Sequence, residues 1–174
     1  MAIVVVERSF EEPTEFERLL ALERAAHWCF EQQRVRWLRS FQSHDARHQI
    51  CIYEAPDAEA VRVSQRTAEL PFDDLWSGQR FSPPVGQLPP GQQEVVVQRA
   101  MPEALNEESA MRLYEQGAYC RSLYRIQQLE SYLSADGRRL LCRYSAPDTE
   151  AVRLANTQSK LPFERAWPAV EHVP

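Results

Sequence analysis

The stretch Cys51–Trp76, CIYEAPDAEAVRVSQRTAELPFDDLW, returns over Cys142–Trp167 as CRYSAPDTEAVRLANTQSKLPFERAW, displaced by a constant 91 positions. Each copy opens with alternating strand-like residues that stop at Ala-Pro-Asp. Proline cannot continue a strand ladder, and aspartate is a strong helix N-cap, so a strand gives way there to a helix. Glu59 and Glu150 follow in the first turn, where the helix dipole favours an anion. Leu-Pro-Phe at 70–72 and at Pro162 and its neighbours ends the helix and leads into a last strand closing at Trp76 or Trp167.

Working outward, Val4–Val6 and Val95–Val97 are β-branched runs at the same displacement and predict a first strand. Phe16, Leu19, Leu22, Ala26 and Cys29 recur at helical spacing, and Thr14 with Glu17 predicts a capping box. The second copy keeps the stripe as Ala110, Leu113, Gly117 and Cys120, with Asn106 as its cap. Val35–Ser43 and Arg47–Ala55 read as a hairpin around Ser43–Asp45, with Val35, Trp37, Arg39 and Phe41 on one face.

The order in each copy is thus β-α-β-β-α-β, the ferredoxin-like pattern, and the fold class is α+β. Right-handed crossovers put both helices on one face of a four-stranded antiparallel sheet. The bare faces are expected to pack face to face, giving an intramolecular pseudo-dimer of the α+β-barrel type. Residues 1–76 form the first repeat, 77–93 a linker rich in proline and glycine, and 94–174 the second repeat, whose tail after Trp167 is expected to trail over the surface. A unit of about 75 residues is large enough to close a core of its own.

Charge and composition narrow the function. The 174 residues carry a net charge of −5, which argues against nucleic acid as a partner. No apolar run reaches the roughly 20 residues of a membrane span, and MAIVVVERSF lacks the features of a signal peptide. A cytoplasmic protein with reduced thiols is expected, a monomer or weak homodimer as a whole chain. The four cysteines obey the repeat, Cys29 with Cys120 and Cys51 with Cys142, and form no CxxC cluster. They read as buried core residues, with Cys29 and Cys51, brought together within one copy, as a soft metal pair or a switchable dithiol for the functional alternative.

Across Val4–Arg8, Val35–Phe41, Ile50–Arg62 and Leu70–Phe72, and again in the second copy, the chain resembles the DUF4242 family of small ferredoxin-like proteins, which includes a nickel-binding member. The resemblance covers nearly the whole chain as two tandem units and implies nickel as a ligand. The family's histidines on the second helix are absent here: Gln65 and Asn156 stand in one such place. Amides are poor ligands for nickel, so metal binding does not carry over with the resemblance.

The candidate ligand site is a cleft lined by Glu7, Arg8, Trp37 and Arg39 of the first copy and Gln98, Arg99 and Glu130 of the second. The arginines would grip an anion, and Arg39 would pair with Glu130. No serine and histidine have an acidic partner at triad spacing, so no catalytic residue is assigned. The function expected is a small-molecule- or metal-binding module. An enzyme of monooxygenase or isomerase type using the same cleft, or a purely structural protein, are the alternatives.

Overall fold

The structure, a computed structural model, describes residues 1–81 and 88–174. The chain forms two compact units, Met1–Gly78 with Val170–Pro174, and Gln79–Ala169. Pro83, Pro84 and Gly86 of the expected linker lie outside the described residues.

The first unit is built from β1 (Ala2–Ser9), α1 (Phe16–Ala25), α2 (His27–Gln32), β2 (Arg36–Ser43), β3 (His48–Ala55), α3 (Ala58–Thr67) and β4 (Asp74–Arg80). Its sheet runs β4-β1-β3-β2, all antiparallel. The second repeats this with β5 (Gln93–Ala100), α4 (Glu107–Gln116), α5 (Ala118–Leu123), β6 (Gln127–Ser134), β7 (Arg139–Ala146), α6 (Thr149–Gln158) and β8 (Arg165–His172), in the order β8-β5-β7-β6. The α+β class and the ferredoxin-like order of both repeats are as expected.

Each unit closes a core between its helices and one face of its sheet. In the first, Val4, Val6, Tyr53 and Ala55 meet Leu19, Phe30 and Val61. In the second, Val95, Val97, Tyr144 and Ala146 meet Ala110, Ile126 and Val152. Burying each such large side chain contributes about 1.5–3 kcal/mol. Asp57 and Asp148 cap α3 and α6, accepting from Ala60 N at 2.8 Å and Ala151 N at 2.7 Å. Asn106 caps α4 in a box with Ser109.

The structure departs from expectation in four places. Thr14 does not cap α1: its hydroxyl donates to the Glu12 carbonyl, and the N-cap is Glu15, with no side-chain bond. The first helix is two helices, broken at Ala26. β4 runs on to Arg80, into the stretch read as linker. The tail does not trail: β8 extends to His172, and Val170–Pro174 join the first unit.

A fifth difference decides which residues face together. β2 carries a bulge between Trp37 and Arg39, and β6 an equivalent one between Gln128 and Glu130. The extra residue, Leu38 or Leu129, reverses the alternation. Trp37 therefore packs with the helix-covered core beside Tyr53, while Arg39 stands opposite Ile52 on the other face.

Left-handed backbone also repeats. Arg34, Glu69, Arg125 and Lys160 have φ of 54–56°, each one residue past a helix C-cap. The following amide bonds back to the last turn, as Val35 N does to Phe30 O and Leu161 N to Asn156 O, which defines a Schellman end.

Candidate functional site

The alternation of β1 sends Glu7 and Arg8 to opposite faces of the sheet. Arg8 turns toward the helices and is buried. Its Nε donates to the Pro71 carbonyl at 2.7 Å, Nη1 to Gln49 Oε1 at 3.0 Å and to Cys51 Sγ at 2.9 Å, and Nη2 to Gln65 Oε1. Ser40 donates to the same sulfur at 2.9 Å and receives the Trp37 indole N–H at 2.9 Å. The Tyr53 hydroxyl donates to Glu23 Oε2 at 2.8 Å. Burial pushes the Glu23 carboxyl up, against the lowering by Tyr53 and the Arg8 charge. Burial and Cys51 hold the Tyr53 hydroxyl well above its ordinary range.

The second unit has the corresponding arrangement. Arg99 donates to the Pro162 carbonyl at 2.9 Å, to the Tyr144 hydroxyl at 3.1 Å and to Asn156 Oδ1 at 2.6 Å. Burial and Cys142 push Tyr144 up to about 12, with Arg99 working the other way.

The opposite faces differ between units. Glu7 receives the Trp76 indole N–H at 2.6 Å, and Gln98 that of Trp167 at 2.9 Å. Arg39 pairs with Glu171 at 3.3 Å. Glu130 pairs with Arg143 at 2.7 Å and Arg80 at 2.5 Å, and Arg143 also holds Glu94 at 2.7 Å. The seven residues read as one cleft are thus split within each unit. Arg8, Trp37 and Arg99 belong to the helix-covered interiors, while Glu7, Arg39, Gln98 and Glu130 lie on the other faces. All four cysteines are buried free thiols, and Cys51 is tied into the Arg8 network.

The first unit carries a groove of about 690 Å³ that no candidate residue but Trp37 pointed to. Phe16, Leu20, Phe30, Val35 and Trp37 make its apolar wall, and Glu23 reaches it from the buried network. His172 stacks on Phe16 with ring centroids 3.8 Å apart and planes within 7°. Trp37 lies tilted against the same ring at 5.9 Å. Burial holds the His172 imidazole below its ordinary value, with Glu17 opposing. Phe16 was legible in the sequence only as a core residue, and His172 only as part of a tail.

A nickel ion does not fit the places that the family resemblance suggested. Gln65 and Asn156 each already accept from a buried guanidinium, so a cation stands where a divalent ion would go. Among the described residues no group of three or more His, Cys, Asp and Glu side chains is placed to hold a metal. Among them, too, no helix is long and apolar enough to cross a membrane.

Solved structures similar to the chain include chlorite dismutase variants from Candidatus Nitrospira defluvii. One is 10% identical, with a TM-score of 0.54, over 97% of this chain and 90% of that one. Another is 12% identical, with a TM-score of 0.53, over 99% and 90%. At such identity the likeness shows the fold alone, and it bears out the fold class read from the repeat. No curated protein matches the chain. The model of the nickel-responsive SCO4226-like proteins matches twice, over residues 5–77 and 96–168, and the chain belongs to that family as a tandem pair of its units.

Proposed function

We propose that the chain is a small-molecule-binding module and that the aromatic groove of its first unit is the ligand site. The observation that carries this reading is the groove itself. Its volume of about 690 Å³ lies inside the range of small-molecule pockets, roughly 300–1,000 Å³. Its rings, Phe16, Trp37 and His172, offer faces to a planar apolar ligand. Glu23 supplies a polar group at its edge, held in one orientation by Tyr53.

N-phenyl-1-naphthylamine, a neutral planar probe, tests this. Its fluorescence is expected to rise saturably on the full chain with one equivalent bound. Trp37→Ala should remove most of the rise, while Trp28→Ala, at an exposed residue outside the groove, should leave it intact. An equal rise in Trp37→Ala would remove the groove from consideration.

A second reading, catalysis in the same groove, rests on Glu23. A carboxyl raised by burial and aimed by a hydroxyl is suited to proton transfer. Turnover lost in Glu23→Gln with probe binding retained would favour it over simple binding.

A further inference from the structure

The two repeats carry the same pocket between helices and sheet, but with different charge. In the first unit it is lined by Arg8, Glu23, Ser40 and Cys51, with Trp37 and Leu70 beside them. In the second, Arg99, Tyr114, Ser131, Cys142, Gln128 and Leu161 hold the matching positions, all displaced by 91. Glu23, whose carboxyl feels the Arg8 charge, has become Tyr114. Phe30 has become Arg121, and Ala26 has become Gly117. The last change matters because a Cβ at residue 117 would sit 2.6 Å from Arg121 Nη1. The missing side chain lets the guanidinium lie over the Tyr114 ring, 3.9 Å from its centroid, on the pocket wall.

The second pocket has therefore lost a carboxylate and gained a guanidinium. Arg99, like Arg8, donates only to uncharged groups, here a hydroxyl, an amide and a backbone carbonyl with the Cys142 thiol beside them. But Arg8 shares its pocket with the Glu23 carboxyl, whereas Arg99 shares its own with Arg121. Among the described residues no carboxylate pairs with Arg99 or Arg121. A buried cation among neutral partners is costly unless an anion joins it. We infer that the pocket of the second unit binds a small monocarboxylate, which takes the place that Glu23 fills in the first. The cavity, about 20 Å³, admits only a compact head group. Phe81, Met101 and Leu113 among its lining residues suit a short apolar tail. Arginine favours carboxylate through paired, charge-assisted hydrogen bonds. The site is separate from the groove of the first unit, so either can fail without the other.

The test is thermal melting of the full chain with sodium acetate and sodium butyrate, ionic strength being held constant with sodium chloride. A saturable rise in Tm of about 5 °C is expected at saturating carboxylate. Tyr114→Glu should supply the anion internally, melting higher without carboxylate and no longer responding to it. Arg121→Gln, a change at a half-exposed residue that should not disturb folding, is expected to raise the half-effect concentration by roughly tenfold. No rise in the wild type, or an unshifted half-effect concentration in Arg121→Gln, would overturn the assignment. So would a response that persists in a folded Tyr114→Glu.

Discussion

Arg143 and Ile52 occupy the same position in the two repeats, one held by Glu94 at 2.7 Å and the other fully buried across from Arg39. The position of Glu94 is likewise Ile3 in the first copy. One repeat thus carries an apolar pair where the other carries a buried ion pair. Arg143→Ala should cost about 3–5 kcal/mol in urea unfolding, because it leaves the buried Glu94 carboxylate without its guanidinium, while Glu130 keeps Arg80. Replacing Glu94 and Arg143 together by isoleucine should cost clearly less than Arg143→Ala. A double variant as unstable as the single one would contradict this.

The helix ends make a sharper contrast. Asp57→Ala and Asp148→Ala should each lose about 1 kcal/mol, since each removes a side-chain bond to a first-turn amide. Thr14→Ala should change the urea midpoint little, because Thr14 makes no such bond.

Left-handed residues at the Schellman ends give a prediction of opposite sign. Glu69→Gly and Lys160→Gly should each stabilise by roughly 0.5 kcal/mol, as relief of the Cβ clash exceeds the added freedom of the unfolded chain. Differential scanning calorimetry should show Tm moving upward in both.

Acid should act through the hairpin turns. The Ser43 hydroxyl donates to Asp45 at 2.5 Å and that of Ser134 to Asp136 at 2.6 Å, and these bonds hold both carboxyls below their ordinary range. A depressed pKa gives stability that is present above about pH 3.9, the unfolded value, and is lost as pH falls through the folded one. Asp136→Asn should therefore lower the urea midpoint at pH 7 and make progressively less difference toward pH 2. A difference independent of pH would mean the aspartate acts only through its shape.

The fold was legible because it is written twice. Ala-Pro-Asp at 55–57 announces strand end and cap together, and the second copy confirms the reading with Asp148. The site was less legible, for a reason that Trp37 illustrates. A single bulged residue, Leu38, sends Trp37 to the helix side and Arg39 away from it, and nothing in the residue types marks the bulge. Phe16 and His172 meet only in the folded chain. The exchanges of Glu23 for Tyr114 and Phe30 for Arg121 were visible in the sequence. Their meaning depended on knowing that both positions line one pocket with an arginine.

His172 stacks on Phe16, and the residues around it, Val170–Pro174, belong to the first unit although they follow the second. A protease cut or a gene fission in the connecting stretch would not separate two self-sufficient halves. The amino-terminal fragment would be deprived of one wall of its own groove, and the carboxy-terminal fragment would carry that wall away. Covalent continuity through the second repeat is what delivers the final piece of the first.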